Sequence, residues 1–304
     1  MAEVIDQLLA RDDVDPAGPA RRGDMDAVSR AFDAPMPELL VELWRTSDGV
    51  TLASLDAHLL GPAEVRQLLA DGKWDGDLVE RALVPVLDDH QSNYLAVAVR
   101  GPLAFRVVHL PHDDGSRLLY RDFESCLADL LRATDGDDTA DTYLHDAQGD
   151  YAADAPRPEE DQQAARELMR TRGEREEWNY AAQLLDASNL DEWARLLETD
   201  HFVRRDVRAR MRKMRSPAIR ELLRRDQAAF EEFAALAAGA ARRAGLDVGE
   251  RRGDVLQVGG HWMNLDAFFH RRNVPRALPR MVAWFEDVIA GRDPRNRADH
   301  FHAD

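Results

Sequence analysis

The sequence predicts two structural classes in succession, an α+β domain followed by a mainly α-helical domain. Apolar runs of strand length, rich in Val, Leu and Tyr, occupy 83–110 and favour a sheet. From 161 onward, apolar residues recur at the spacing of helices. The charge also changes along the chain, because residues 1–160 hold 33 acidic and 14 basic residues and residues 161–304 hold 24 and 26. We therefore expect a domain over 1–132, an acidic linker over 133–160 and a second domain over 161–304.

Short elements alternate in the first 132 residues. Leu39, Leu40, Leu43 and Trp44 share one face of a predicted helix that ends at Ser47-Asp48-Gly49. A second helix begins near Pro62, and a last one follows the N-cap residue Asp122. Between them we expect a sheet of about four mostly antiparallel strands, with segments over 83–87, 94–99, 103–110 and 117–120.

Residues 133–160 contain many acidic and few apolar residues, and Pro156 and Pro158 oppose a helix there. This composition predicts a solvated linker. In the C-terminal region we expect helices and one β-hairpin that turns at Arg252-Gly253-Asp254. The predicted helices cover 161–171, 174–185, 190–199, 217–243, 265–271 and 276–290.

The composition excludes several protein classes. The only cysteine is Cys126, so neither a disulfide framework nor a zinc site built on several cysteines is expected. No apolar run reaches 18 residues, which argues against a membrane span. The acidic N-terminal segment also lacks the order of a signal peptide, and we expect a cytoplasmic protein.

The N-terminal region resembles the SUKH superfamily, which has the Smi/Knr-type fold. The similarity covers about 130 residues and lies in four stretches whose order and spacing match the family. Glycine is more usual in the family's strand-connecting turn, where this chain has Asp88-Asp89-His90-Gln91. The four stretches are PELLVELWRTSDGVTL (37–52), LLGPAEVRQLL (59–69), LVPVLDDHQSNYLAVAV (83–99) and RDFESCLADLL (121–131).

This resemblance implies binding rather than catalysis. Bacterial members of the superfamily are mostly immunity proteins that neutralise a cognate toxin, and others are regulatory scaffolds. The net charge of −19 over 1–160 agrees with a cationic partner such as a nuclease toxin. We expect the partner at two polar turns that end adjacent predicted strands, formed by Asp88, Asp89 and His90 and by Asp113 and Asp114.

A basic segment at 204–225 is the strongest charge feature of the C-terminal region. It holds ten basic residues against Asp206 and Glu221. Three interpretations stay open: contact with the acidic half or with a partner protein, a solvated helix face, or binding to a nucleic-acid backbone. Arg204, Arg205, Arg208, Arg212 and Arg215 form the predicted basic contact patch.

No motif predicts an enzyme or a cofactor. Gly259-Gly260 lacks the lysine of a phosphate-binding loop, and Cys126 lies on the apolar face of a predicted helix. We therefore expect no catalytic residue, no metal and no cofactor, with the chemistry of 161–304 left open. The first hypothesis is an immunity protein that binds a toxin. The alternatives are a regulatory or nucleic-acid-associated module that acts through 204–225 and an enzyme with an unrecognised site in 161–304.

Overall fold

The computed structural model describes residues 2–71, 77–113, 115–136, 139–147, 149–170, 175–269 and 274–292. The chain divides into two compact units, Met1–Leu184 and Leu185–Asp304. The first unit holds 38 acidic and 18 basic residues, and the second holds 19 and 22. The acidic excess thus belongs to the first unit.

The first unit is built on a seven-stranded sheet in which the strands follow one another in sequence order. Every neighbouring pair is antiparallel. The strands are β1 (Val14–Pro16), β2 (Val50–Leu52), β3 (Ala57–Leu59), β4 (Leu83–Asp88), β5 (Tyr94–Ala98), β6 (Val107–Leu110) and β7 (Arg117–Tyr120).

Helices cover this sheet. Strands β5 and β6 are buried along their whole length, so both of their faces are covered, as sheets between helices require. Trp44 is fully buried, and its indole Nε1 donates a 3.0 Å hydrogen bond to the carbonyl oxygen of Leu60. The helices are α1 (Ala2–Leu9), α2 (Arg22–Phe32), α3 (Glu38–Thr46), α4 (Pro62–Ala70), α5 (Asp77–Glu80), α6 (Phe123–Ala133), α7 (Ala140–Asp146), α8 (Glu159–Leu168) and α9 (Arg175–Gln183).

The sheet is larger than the predicted four strands. Strands β4–β7 correspond to those four, and β1–β3 extend the sheet by short segments. Strand β1 has three residues and ends at a proline, so the periodicity of the sequence does not reveal it. Strand β6 begins at Val107 rather than at residue 103, because the preceding residues form a turn in which Phe105 has a positive φ of 71°.

Residues 133–160 are more ordered than the predicted linker. They contain α7, and the side chains of Leu144, Tyr151 and Arg157 are buried. The guanidinium of Arg157 donates to the carbonyl oxygens of Ala152 and Gln183, which joins this segment to the end of α9. The first compact unit therefore extends to Leu184, beyond the predicted boundary at 132.

The side-chain amide of Gln183 forms hydrogen bonds with the backbone of β7, as a neighbouring strand would. Its Oε1 accepts a 2.7 Å hydrogen bond from the Leu118 amide, and its Nε2 donates to the Leu118 carbonyl oxygen at 3.4 Å. Gly149 also approaches this strand closely, because a Cβ there would lie 1.9 Å from the Leu119 carbonyl oxygen. Side chain and close-packed backbone thus cover an edge of the sheet.

In its described residues, the second unit combines four α-helices with a three-stranded antiparallel sheet. The helix predicted over 217–243 is confirmed with the same bounds, and the hairpin turn at Arg252-Gly253-Asp254 is confirmed as well. The helix predicted over 265–271 is only a 3-10 turn at Asp266–Phe268 within the described residues. The elements are α10 (Leu190–Leu196), α11 (His201–Lys213), α12 (Pro217–Arg243), α13 (Val274–Ile289), β8 (Val248–Arg252), β9 (Val255–Val258) and β10 (His261–Asn264).

An aromatic core holds this unit together. Phe230 and Phe233 of α12 pack on Phe269, with ring centroids 5.3 and 5.5 Å from it. Phe285 of α13 is fully buried in the same cluster. These contacts place α12 and α13 beside the small sheet. No helix in the described part of the chain is long and apolar enough to cross a membrane.

Candidate functional site: two joined turns and a buried arginine network

The turn between β4 and β5 is held by the carboxylates of two adjacent aspartates. Asp88 Oδ1 accepts a 2.8 Å hydrogen bond from the His90 amide. Asp89 Oδ1 accepts from the amides of Gln91 and Asn93, at 2.9 and 3.0 Å. Aspartate favours such turns because its short side chain reaches backbone amides a few residues ahead.

Two residues of this turn adopt the left-handed backbone conformation without being glycine. The φ angle is 60° at His90 and 70° at Ser92. This conformation costs a non-glycine residue free energy, and such residues often occur at functional sites. The hydrogen bonds from the amides of His90 and Gln91 to Asp88 and Asp89 hold the turn in this conformation.

Asn93 joins this turn to the neighbouring one. Its Nδ2 donates to Asp89 Oδ2 at 2.7 Å and to Asp141 Oδ1 of α7 at 2.9 Å. Its Oδ1 accepts a 2.7 Å hydrogen bond from the amide of His112, which lies in the turn between β6 and β7. The two turns thus lie side by side, in agreement with the expectation that they end adjacent strands.

Acidic and imidazole groups project from the joined turns. His90, His112, Asp113 and Asp141 are exposed, and Asp88 is half-buried. Burial raises the pKa of the Tyr94 phenol, and the charge of Asp88 raises it further. We call Asp88, His90, His112, Asp113 and Asp141 the acidic turn surface.

One predicted contact residue is not available at this surface. The side chain of Asp89 is buried, with only 2% of the residue exposed, and both carboxylate oxygens accept hydrogen bonds from the turn itself. Asp89 therefore shapes the turn instead of presenting a charge to a partner. Asp114 lies outside the described residues. Asn93 and Asp141 were not among the predicted contact residues, because only the fold brings α7 and the second turn within reach of Asn93.

The predicted basic patch requires a larger correction. Arg204 is 1% exposed and Arg208 is 7% exposed, so neither belongs to a contact surface. Arg204 Nε lies 3.2 Å from Asp266 Oδ1, and its guanidinium also donates to the Phe269 carbonyl oxygen at 2.8 Å. Burial lowers the pKa of Arg204, and the charge of Asp266 opposes that shift.

Arg208 completes a buried network of two arginines and two aspartates. Its Nε donates to Asp226 Oδ2 at 2.7 Å, and its Nη1 donates to Asp266 Oδ1 at 3.1 Å. A buried guanidinium needs such compensation, since removing charge from water is costly. The network joins α11 to α12 and to the 3-10 turn at Asp266–Phe268. Because the network is buried within the unit, these two arginines do not form part of an exposed protein-contact surface.

The other cations of the basic segment are mostly on the surface. Arg205, Arg212 and Arg215 of the predicted patch are exposed. Arg224 and Arg225 both pair with Glu221 at 2.8 Å, which lowers the pKa of Glu221 to about 2. The free positive charge of this segment is thus smaller than its composition indicates.

A polar cavity of about 650 Å³ in the first unit was not expected from the sequence. The hydroxyls of Tyr120 and Tyr143 each donate a 2.6 Å hydrogen bond to Asp129 Oδ2, and Arg132 binds the same carboxylate. Burial, followed by the neighbouring Asp129, raises the pKa of the Tyr143 phenol. The two phenols therefore stay protonated donors that orient the carboxylate. Tyrosine and aspartate are too common for their spacing to reveal this group.

No protein-family model and no curated protein matches this chain.

Proposed function

We propose that this chain is an immunity-type protein that binds a cationic toxin through the acidic turn surface of its first unit. The observation that carries the proposal is the pair of turns joined by Asn93, which presents the carboxylates of Asp88, Asp113 and Asp141 together. Because hydrogen bonds hold the turns in place, little conformational entropy is lost on binding. The proposal includes no catalytic step and no cofactor.

The order of elements supports a relationship to the SUKH superfamily. Helix α3 ends before Ser47-Asp48-Gly49, and β2, β3 and α4 follow. Strands β4 and β5 then form a hairpin, and α6 follows the last strand. This is the succession that the four similar stretches imply, carried on an antiparallel sheet.

Charge supports a cationic partner. The first unit has 20 more acidic than basic residues. Opposite charge accelerates the encounter of two proteins and disfavours wrong partners. Toxins that act on nucleic acids carry cationic clefts, because phosphate backbones require them. A nuclease is therefore the class of toxin that this surface fits best.

The second candidate function is a regulatory or nucleic-acid-associated module that uses the basic segment. The exposed Arg205, Arg212 and Arg215 favour it. It is weakened by the burial of Arg204 and Arg208 and by the ion pairs of Glu221 with its two arginines. Retardation of a random DNA duplex by the full chain at about 0.15 M salt would support this second function instead.

The test of the proposed function compares two triple variants with equal charge change. The first carries Asp88→Asn, Asp113→Asn and Asp141→Asn on the acidic turn surface. The matched control carries Asp6→Asn, Glu38→Gln and Asp71→Asn at other exposed positions of the first unit. Each protein is used to capture partners from its host. The captured protein, with the secreted protein encoded beside this chain as the first candidate, is then purified for kinetics.

The first variant is expected to associate about tenfold more slowly at low salt and to show a flatter salt dependence, whereas the control keeps the wild-type rate. The partner alone is expected to arrest growth, and co-expression of wild-type chain is expected to restore it. A partner that is harmless, or equal association rates for the two variants, would contradict the proposal.

A further inference from the structure

One face of α11 lines a polar cavity in the second unit. His201, Arg205, Arg208 and Arg212 follow one another at intervals of four, three and four residues, which places them on the same side of a helix. All four border a cavity of about 190 Å³. Asn264 of β10 borders the same cavity. A cavity with three arginines on one wall suits an anion.

Arg208 supplies a buried donor at this cavity. Its Nε and Nη1 are held by Asp226 and Asp266, but its Nη2 is buried without a hydrogen-bond partner. A buried N–H group without an acceptor costs free energy, which a bound acceptor would recover. Because the residue is 7% exposed and held from two sides, its guanidinium is already oriented.

Two further donors border the same cavity. Arg212 is exposed and forms no ion pair or hydrogen bond within the described part of the chain. Asn264 Oδ1 accepts a 2.9 Å hydrogen bond from the Asp266 amide, which fixes the orientation of its side-chain amide. Its Nδ2 is thereby left as a donor. The cavity thus combines three donors that come from two elements of the unit.

The cationic residues at the cavity differ in whether a carboxylate of the described residues already pairs with them. Arg204 and Arg208 are balanced by Asp226 and Asp266 in the buried network. Of the remaining lining residues, Asp254 is acidic, whereas Arg205 and Arg212 are cationic. Arg205 also contacts Asp206 at 3.2 Å. Arg212 is therefore the cation left for a ligand.

We infer that this cavity binds the phosphate group of a small phosphomonoester. A phosphate offers several oxygens to donors from different directions, and arginine forks match its geometry. The organic part of the ligand would lie against Phe202, which borders the cavity, is 45% exposed and has its ring 3.8 Å from that of His201. The buried aspartates orient Arg208 for this ligand.

The test measures the binding of inorganic phosphate and of phenyl phosphate to the full chain by titration calorimetry. Phenyl phosphate is expected to bind at sub-millimolar concentration, more tightly than inorganic phosphate, and Arg212→Gln is expected to weaken it at least tenfold. Arg220→Gln is the matched control, because Arg220 is exposed, forms no ion pair among the described residues and does not border the cavity. Phe202→Ala is expected to weaken phenyl phosphate and leave inorganic phosphate unchanged.

Several outcomes would overturn the inference. These are no binding of either probe up to about 10 mM, equal effects of Arg212→Gln and Arg220→Gln, or acetate binding as tightly as phosphate. Inorganic phosphate binding as tightly as phenyl phosphate would contradict a phosphomonoester ligand and indicate the free ion. Arg212-dependent binding of duplex DNA without binding of phenyl phosphate would indicate a nucleic-acid site instead.

Asn264→Asp provides a second variant. Its added carboxylate should abolish the binding of phenyl phosphate.

Discussion

Asn93 donates a 2.7 Å hydrogen bond from its Nδ2 to Oδ2 of the buried Asp89, and this contact joins the two ends of the β4–β5 turn. Oδ1 of the same aspartate accepts hydrogen bonds from two backbone amides. Asp89 therefore accepts three hydrogen bonds within the turn, and Asp88 accepts one from the His90 amide. Asp113, in the neighbouring turn, is exposed.

The first prediction is that Asp89 contributes to the stability of the fold and Asp113 does not. Both carboxylate oxygens of Asp89 accept hydrogen bonds, but an asparagine side chain has only one acceptor oxygen. In Asp89→Asn, an NH₂ group would therefore face donors that now bind the second oxygen. We expect Asp89→Asn to lower the free energy of unfolding by about 1–3 kcal/mol. Asp113→Asn should stay within about 0.5 kcal/mol of wild type. Urea unfolding of the full chain measures both, and equal stability of the two variants would show that the turn does not depend on Asp89.

The second prediction concerns the buried network of the second unit. Arg208→Leu leaves Asp226 and half of the Asp266 contacts without their cation, so we expect a loss of about 3–5 kcal/mol in the free energy of unfolding. The exposed Arg212 lies one turn further along α11, and Arg212→Leu should change stability by less than about 0.5 kcal/mol. Denaturant unfolding checks the pair. A stable Arg208→Leu variant would mean that the network contributes little.

The third prediction is a pH dependence. Arg251 donates to both oxygens of Glu231, at 2.5 and 2.9 Å, and this lowers the pKa of Glu231 from 4.5 to about 2. A carboxylate with a lowered pKa in the folded state stabilises the fold above its unfolded pKa and loses that effect as the pH falls through the folded value. The stability difference between wild type and Glu231→Gln should therefore be constant above about pH 5 and vanish toward pH 2.

The control for this pH dependence is Arg251→Gln, which removes the same contact from the other side. The double variant should then show no additional loss, as expected for a coupled pair. Because both side chains are partly exposed, the effect should also shrink at high salt. A difference that persists unchanged at pH 2 would contradict the assignment.

The fourth prediction tests the close approach of Gly149 to β7. Its φ is +51°, and a Cβ would lie 1.9 Å from the Leu119 carbonyl oxygen. Gly149→Ala should cost at least about 2 kcal/mol, from the left-handed backbone and the clash together. Gly18 has a negative-φ backbone and no atom within 4 Å of a built Cβ, so Gly18→Ala should be neutral within about 0.5 kcal/mol. Thermal unfolding of both variants decides the point.

Local chemistry was sufficient to predict several elements of this chain. Helix α12 begins at Pro217 after the N-cap residue Ser216, whose hydroxyl accepts from the Ile219 amide, and it ends before Gly245. Proline at the first turn and glycine after the last act over a few residues, so the sequence contains the whole signal. The hairpin at Gly253 and the adjacent positions of the two acidic turns follow from equally local patterns.

The tertiary structure decided which charged residues are buried. Arg204 and Arg205 are neighbours in the sequence, yet Arg204 is 1% exposed and Arg205 lies on the surface. The difference depends on Asp266, which is 62 residues away and approaches Arg204 only when the 3-10 turn at Asp266–Phe268 packs against α11. Asp88 and Asp89 also differ in burial. The Asn93 side chain binds Asp89, which is buried, whereas Asp88 is half-exposed. The sequence shows which residues are charged but not which of them form ion pairs, because the partners come within reach only in the folded chain.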